Sequence, residues 1–393
     1  MEVQQLLLCG VWIITCLTHH VLTAPFSIQK TKGYGSAKNV LIFGIDGLGG
    51  VHLENVTAKY PGFRSFFDEG SYTTSARCET PTVSASNWGT LITGMTPAEA
   101  GIQANYWIPE YGRPKSISQR SHFEPISGEG VPESIFDVMY KQKDMKVYMG
   151  YTWDWFHHFA TNTTVDEMFR GAQLPYFNGS ADWLKCAFDF GCIKHSDEAV
   201  FNATVDVIQQ IQPNFMFLHF SRLDKAGHVH CWGCKEYYDE LEVIDGYIQK
   251  ILQVLKETKT SQGTQMLDET LVMVVSDHGG YRNLHGECNG PNTECLSFTM
   301  TATMNVPLLL RGPRVKKGYN MTANRNYVAN RDVVQTALHA LGLRKGRYMT
   351  GKVLTEAFEE TPPVVNKAIG VWRGMGPLCL ICYILLHLTI SSI

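Results

Sequence analysis

The stretch NVLIFGID, residues 39–46, is an uninterrupted apolar run with a polar residue at each end. An apolar run of this length without polar alternation is typical of a strand buried on both faces, as in a parallel sheet covered by helices. The same pattern recurs in KVYMGYTWD (146–154), NFMFLHFSRLD (214–224), TLVMVVSD (270–277) and NVPLLLRGP (305–313). These runs predict strands of one sheet.

Helical patterns lie between the apolar runs. They are SIFDVMYKQK (134–143), DEAVFNATVDVIQQIQ (197–212), KEYYDELEVIDGYIQKILQVLKET (235–258) and NRDVVQTALHALGL (330–343). Strands that alternate with helices indicate an α/β fold. We therefore expect one doubly wound domain over residues 36–358, with a mostly parallel sheet and helices on both faces.

Four of the apolar runs end in an aspartate, and three of the four are candidates for a site, namely Asp46, Asp224 and Asp277. A single aspartate at such a place more often caps a turn or the next helix. Ligands of doubly wound sheets, however, bind at the carboxyl ends of the strands. Three aspartates at corresponding ends therefore indicate a functional site.

Histidines accompany two of these aspartates. His228 follows Asp224 by four residues, so both side chains can lie on one face of a helical turn. His278 follows Asp277 directly, and His285 lies shortly after it. The candidate metal ligands are Asp46, Asp224, His228, Asp277, His278 and His285.

This mixture of carboxylates and imidazoles suits zinc, although other divalent first-row metals are possible. A catalytic zinc typically has three protein ligands and an open position, so the six residues predict two Zn²⁺ per chain. A two-metal site can stabilise both the attacking and the leaving oxygen of an in-line displacement at phosphorus.

A hydroxyl-rich segment, ETPTVSASNWGTLITGM (79–95), precedes a predicted helix. It offers four hydroxyls, on Thr80, Thr82, Ser84 and Ser86. Such residues commonly occupy loops and helix caps. The segment by itself does not identify which oxygen attacks a substrate.

Five segments carry a resemblance to a known family. They are VLIFGIDG (40–47), SASNWGTLITGMTPAEAGI (84–102), LDKAGH (223–228), SDHGG (276–280) and VPLLLRGP (306–313). Over about residues 40–354 the chain resembles the type I phosphodiesterase/nucleotide pyrophosphatase family of the alkaline phosphatase superfamily.

The resemblance implies roles for particular residues. The nucleophile lies three positions before Asn87, at Ser84, and Asn105 holds a non-bridging phosphoryl oxygen. One zinc is bound by Asp224, His228 and His285, and the other by Asp46, Asp277, His278 and the oxygen of Ser84.

The function implied is that of an extracellular zinc phosphodiesterase or nucleotide pyrophosphatase acting through a phospho-seryl intermediate on Ser84. Its substrate would be a small-molecule phosphodiester or a nucleotide. Diesterases of the family usually have threonine at this position, so a zinc phosphomonoesterase is one alternative. A catalytically inactive cell-surface binding protein on the same fold is another.

Both ends of the chain indicate export. Residues 1–24 resemble a secretory signal peptide, with an N-terminal membrane anchor as the alternative. Residues 359–376 resemble a linker and spacer. Residues 377–393 form a hydrophobic tail that suits a GPI signal, with a tail anchor as the alternative. We therefore expect the protein at the extracellular face of the plasma membrane, held there by its C-terminal anchor.

Export is consistent with the sequons and cysteines. Predicted glycosylation sites are Asn55, Asn162, Asn178, Asn202 and Asn320. Two short disulfide loops are expected, Cys186–Cys192 and Cys288–Cys295. Cys231 and Cys234 either pair with each other or pair elsewhere. The net charge of −3 argues against a nucleic-acid-binding surface, and the sequence contains no signal for an oligomeric state.

Overall fold

The computed structural model describes residues 31–54, 58–105, 107, 130–142, 145–171, 190–286, 301–324 and 326–360. Residues 32–360 form one compact unit. The predicted signal peptide, most of the linker and the hydrophobic tail lie outside the described residues, as do Asn55, Asn178, Cys186, Cys288 and Cys295. Within the described ranges, no helix combines the length and apolar character needed to cross a membrane.

Eight strands form one sheet in the order β4-β3-β5-β1-β6-β7-β2-β8. Their bounds are β1 Asn39–Ile45, β2 Ser71–Arg77, β3 Val147–Tyr151, β4 Glu167–Arg170, β5 Phe215–Phe220, β6 Thr270–Val275, β7 Asn305–Arg311 and β8 Tyr319–Asn320. Only β7 runs against its neighbours, because it pairs antiparallel with both β6 and β2. The sheet is therefore mostly parallel, as the sequence predicts.

Strand β1 lies in the centre of the sheet, between β5 and β6, and all of its residues are buried. Successive side chains of a strand point to opposite faces. Val40 and Ile42 accordingly join one hydrophobic core, while Leu41 and Phe43 join a second core. Both faces of β1 are thus covered, which explains why its sequence is apolar without alternation.

Helices flank the sheet in the part of the chain that the structure describes. They are α1 Gly50–Glu54, α2 Pro61–Glu69, α3 Ser84–Thr93, α4 Pro97–Ala100, α5 Ile135–Tyr140, α6 Phe190–Gln210, α7 Arg222–Val229, α8 Lys235–Glu257 and α9 Asp332–Ala340. Helices α3, α5 and α9 contribute to one core, and α2, α6 and α8 contribute to the other. Helices on both faces of the sheet confirm the predicted doubly wound α/β architecture.

The structure departs from the sequence-based expectation in several elements. Strands β2, β4 and β8 are not predicted, because none of them is a continuous apolar run. Helix α6 begins at Phe190, seven residues before the predicted start at Asp197. Asp224 does not end a strand: β5 ends at Phe220, and Asp224 lies in the first turn of α7.

The cysteines follow the expectation only in part. Cys192 is disulfide-bonded. Cys231 and Cys234 are free thiols, as is the buried Cys78. Cys231 and Cys234 are therefore bonded neither to each other nor to another cysteine. The Cys234 thiol instead donates a hydrogen bond to the Cys231 carbonyl at 2.7 Å.

The described sequons lie at the surface to different degrees. Asn162 and Asn202 are exposed, so their side chains are accessible to a glycosyltransferase. Asn320 is half-buried, and its side-chain oxygen accepts hydrogen bonds from the Thr322 N–H and hydroxyl, both at 3.0 Å. Glycosylation at these positions stays a prediction.

Candidate functional site

The site lies where three neighbouring strands end. Strands β5, β1 and β6 are adjacent and parallel, so their carboxyl ends meet at one edge of the sheet. Asp46 follows β1 directly, and Asp277 and His278 come shortly after β6. Helix α7, which follows β5, contributes Asp224 and His228.

Gly47 allows the turn after Asp46 to pass close to Asp277 and Asp224. Gly47 has φ 74°, in the left-handed region, and its N–H donates a hydrogen bond to Asp277 Oδ1 at 3.1 Å. A Cβ at this position would lie 2.8 Å from the Asp224 Cα. The turn after Asp46 therefore requires glycine both for its conformation and for space.

One group of candidate ligands is completely enclosed. It consists of Asp46, Asp277, His278 and Ser84, which are all buried. His278 Nε2 lies 3.1 Å from Asp277 Oδ2 and 3.6 Å from Asp46 Oδ1. The Ser84 Oγ lies 3.2 Å from the same nitrogen. The hydroxyl thus lies among the candidate ligands.

A second group lies beside the first. His228 Nε2 and His285 Nε2 are 2.9 Å apart, and each is 3.6 Å from a carboxylate oxygen of Asp224. The rings of His278 and His285 are stacked, with their centroids 3.7 Å apart. Asp224, His278 and His285 bring their ligand atoms within 4.8 Å of one another, as do Asp46, Asp277 and His278.

The hydrogen bonds of the three histidines suit metal ligation. Nδ1 of His228, His278 and His285 lies 2.9–3.0 Å from the backbone carbonyl of Asn283, Gly279 and Thr82, respectively. A carbonyl only accepts, so each Nδ1 carries the proton and each neutral ring directs an Nε2 lone pair into the site. Two such lone pairs 2.9 Å apart, on His228 and His285, repel each other unless a cation lies between the groups.

The carboxylates lead to the same conclusion. Asp46 Oδ1, Asp224 Oδ1 and Asp277 Oδ2 are buried and have no hydrogen-bond partner among the described residues. A buried carboxylate oxygen without a partner is costly, and a bound metal removes that cost. The donor set therefore fits divalent cations.

The protonation states also fit. Burial lowers the pKa of His278 to about 4 and holds the pKa of His285 well below its usual range. Both rings are therefore neutral at physiological pH, as a metal ligand must be. Burial, together with the nearby charge of Asp46, raises the pKa of Asp224 and of Asp277, since these carboxylates repel one another.

Asp46 differs from the other two carboxylates. Burial alone would raise its pKa, but the hydrogen bond from His219 and the charges of nearby histidines lower it to about 2. Asp46 is therefore ionised throughout the physiological range.

Asn87 shapes the loop that presents Ser84. Its side-chain amide donates to the carbonyls of Glu79, Pro81 and Val83 at 3.0–3.3 Å, and its oxygen accepts from the Glu79 N–H at 2.6 Å. These bonds hold the loop against the start of α3, where Ser84 is the first helical residue. The spacing from Ser84 to Asn87 therefore reflects a structural role for the amide.

The remaining hydroxyls of this segment lie elsewhere. Thr80 is exposed, and Ser86 is buried without a hydrogen-bond partner among the described residues. Thr82 supports the His285 loop, because its carbonyl accepts from His285 Nδ1 and its hydroxyl accepts from the Gly286 N–H at 3.0 Å. Of the four side-chain hydroxyls, that of Ser84 is the one within hydrogen-bonding distance of a candidate ligand among the described residues.

Asn105 lies next to the nucleophile candidate. Its side chain is exposed, and its Oδ1 accepts a hydrogen bond from the Ala85 N–H at 2.9 Å.

The aromatic residues that follow β3 are less exposed than Asn105. Trp155 and Phe156 are core residues, while Trp153 is half-buried and stacks on Trp155 with ring centroids 5.1 Å apart.

A buried ion pair that the sequence reading missed anchors α7. The Arg222 guanidinium donates to Glu240 at 2.8 Å and to the Tyr247 hydroxyl at 2.8 Å. Lys194 lies 2.5 Å from the other oxygen of Glu240. Asp197 accepts from the N–H groups of Ser221 and Arg222 at the start of the helix. Two acidic residues on the mostly apolar buried face of α8, Glu240 and Asp245, were the available signal.

Comparison with known proteins identifies the family. Residues 40–348 match the family described as type I phosphodiesterase / nucleotide pyrophosphatase. GPI ethanolamine phosphate transferase 1 of Gibberella zeae is 25% identical over 207 residues, which are 49% of this chain and 20% of that protein. Ectonucleotide pyrophosphatase/phosphodiesterase family member 1 of Mus musculus is 23% identical over 245 residues, 61% of this chain and 24% of that protein.

The matched region thus spans a quarter or less of these curated relatives. Among solved structures, wild-type alkaline phosphatase PafA superposes with a TM-score of 0.56 at 12% identity, covering 82% of this chain and 99% of that chain. At this identity the likeness shows the fold, which is alkaline-phosphatase-like. The chain therefore belongs to the type I phosphodiesterase/nucleotide pyrophosphatase family, as its motifs predicted.

Proposed function

We propose that this protein is a zinc-dependent phosphodiesterase or nucleotide pyrophosphatase of the secretory pathway, and that it acts through a phospho-seryl intermediate on Ser84. The observation that carries the proposal is the position of the buried Ser84 Oγ, 3.2 Å from His278 Nε2, a nitrogen that also lies near the carboxylates of Asp46 and Asp277. Family membership supports the reaction class.

The proposed ligand sets use every candidate ligand. One metal would be held by Asp224, His228 and His285, whose ligand atoms contact one another. The other would be held by Asp46, Asp277, His278 and the Ser84 oxygen. When bound, the ions supply positive charge that lowers the pKa of the hydroxyl and stabilises the phosphoryl oxygens.

The Ser84 Oγ forms a bond to phosphorus and gives its proton to water, while the bond from phosphorus to the leaving oxygen breaks on the opposite side and that oxygen takes up a proton from water. Water then attacks the phosphoserine, which releases the phosphorylated product and restores the hydroxyl. Ser84 is the first residue of α3, so the positive end of the helix dipole would favour a negative phosphoryl group there. The hydrogen bond from the Ala85 N–H orients the Asn105 amide, whose own N–H groups donate to a phosphoryl oxygen.

A second candidate function is transfer of phosphoethanolamine to an alcohol. The similarity to GPI ethanolamine phosphate transferase 1 favours it. The donor's other alcohol would leave as Ser84 Oγ bonds to phosphorus, so Ser84 would carry the phosphoethanolamine group. An alcohol acceptor rather than water would then attack that phosphorus, break the Oγ–P bond and take the whole group, and Oγ would regain a proton. Adding an alcohol acceptor to the assay and measuring the ratio of transfer product to hydrolysis product separates the two functions.

The zinc-loaded protein is expected to hydrolyse bis-p-nitrophenyl phosphate faster than p-nitrophenyl phosphate. A chelator should abolish turnover, and added zinc should restore it together with two bound metal ions per chain, measured by elemental analysis. Faster hydrolysis of the monoester would favour the phosphomonoesterase. No hydrolysis of either compound by protein with two bound metal ions would favour a binding protein.

We further propose that the C-terminal tail is replaced by a GPI anchor at the cell surface. Phosphatidylinositol-specific phospholipase C is then expected to release the protein from intact cells, because the enzyme cleaves the lipid from the anchor. Activity recovered in the medium measures the release. Retention on the cells after treatment would instead support the tail anchor.

A further inference from the structure

The two oxygens of Asp46 have different environments. Oδ1 is buried without a hydrogen-bond partner among the described residues, and it lies 3.6 Å from His278 Nε2. Oδ2 accepts two hydrogen bonds, from Trp88 Nε1 at 3.2 Å and from His219 Nε2 at 3.3 Å. Two donors on one oxygen leave the other oxygen available to a metal ion.

A chain of polar groups, in which His219 is buried and Thr152 and Ser221 are half-buried, fixes the tautomer of His219. Its Nδ1 lies 3.1 Å from the Thr152 hydroxyl, which lies 2.7 Å from the Ser221 hydroxyl. Because a carboxylate only accepts, His219 Nε2 carries the proton toward Asp46, and Nδ1 of the neutral ring accepts from Thr152. The Thr152 oxygen then accepts from Ser221, so every donor in the chain has an acceptor.

Aromatic contacts hold the His219 ring in place. The side chain is completely buried, Trp88 meets it edge-on with centroids 4.8 Å apart, and Phe156 packs against it at 4.7 Å. A histidine that only filled space in a core would need one polar partner at most. This ring instead has a partner at each nitrogen, and one of them is a candidate metal ligand.

We propose, on the basis of the function proposed above, that His219 is a positioning residue that sets the affinity of the metal site containing Asp46. With Trp88 it holds Asp46 Oδ2 so that Oδ1 faces the metal. Trp88 also lies one helical turn after Ser84 on α3, so the same contact aligns the nucleophile with this carboxylate. Polar partners behind a metal ligand typically change metal affinity by about 10- to 100-fold.

The test measures zinc binding directly, by competition with a chromophoric chelator. His219→Phe keeps a buried ring but loses the donor, so one of the two zinc ions is expected to bind about 10- to 100-fold more weakly, while the other is unchanged. His219→Gln places an amide N–H near the position of Nε2, and we expect it to restore most of the affinity. As a matched control, His339→Gln is expected to leave both affinities unchanged, because His339 bonds to the Lys32 carbonyl and packs against the Tyr34 ring, away from the candidate ligands.

Thermal melts establish that each variant is folded. If His219→Phe does not fold, Thr152→Val removes the partner of Nδ1 and should weaken the same zinc ion. Unchanged affinity of both ions in a folded His219→Phe or Thr152→Val variant would contradict the positioning role, as would equal losses in the Phe and Gln variants. A wild-type protein that binds two zinc ions and hydrolyses no phosphoester would contradict the proposed function alone, because the affinity difference is measured without turnover.

Discussion

Replacing Ser84 by alanine is expected to lower the turnover of a phosphodiester by at least about 10³-fold while zinc stays bound, because loss of an attacking nucleophile typically costs this much or more. The Ser84 Oγ lies among the candidate ligands at 3.2 Å from His278 Nε2, in a buried position. The three protein side chains of that metal group remain in the variant, which is sufficient for a zinc site. Steady-state kinetics and elemental analysis measure the two effects separately.

Ser86→Ala is the matched control. Ser86 lies on the same helix and is buried, but its hydroxyl has no hydrogen-bond partner among the described residues. The control is therefore expected to retain turnover. Rapid quenching of the wild-type reaction should also yield a phosphorylated peptide that contains Ser84. Retained turnover in the Ser84→Ala variant, or a phosphoryl group on another residue, would refute the assignment.

Glu240→Ala is expected to lower the free energy of unfolding by about 3–5 kcal/mol, the usual cost of removing one partner of a buried ion pair. Arg222 and Glu240 are both buried, and the Arg222 Nε–Glu240 Oε2 distance is 2.8 Å. Alanine leaves the Arg222 charge without its carboxylate inside the protein. Because Arg222 begins α7, the change should also weaken zinc binding by Asp224 and His228.

The control for this change lies two residues further along α8. Glu242 pairs with Lys59 at 3.1 Å, and both side chains are more than half exposed, at 63% and 60%. An exposed ion pair contributes about 0–1 kcal/mol, so Glu242→Ala should change the free energy of unfolding by no more than that. Urea denaturation measures both variants. An equal decrease in the free energy of unfolding of the two variants would show that the buried ion pair stabilises the protein no more than the exposed pair does.

The fold is largely predictable from sequence because its central strands are buried on both faces. Strands β1 and β6 have residues that are buried throughout, so they appear as continuous apolar runs. Strand β4 lies at the edge of the sheet with partly exposed residues, and β8 has two residues, so neither leaves such a signal. The reversal of β7 depends on the path of the chain between strands, which composition does not encode.

The candidate ligands are predictable for a similar reason. Their spacing is local in sequence, as in Asp224 with His228 or Asp277 with His278, and parallel strands bring the local groups to one edge. The supporting contacts are different in kind. Trp88 and His219 approach Asp46 from separate elements of the fold, and no pattern within either segment indicates the pairing.

Thr82 has a consequence for how this site can change during evolution. It serves two loops, since it bonds to His285 and Gly286 and also lies two residues before Ser84. An insertion or deletion in either loop would therefore displace the His285 ring and the Ser84 hydroxyl together. Viable length variants should consequently carry compensating changes in both loops, so the two segments are expected to be inherited as one unit.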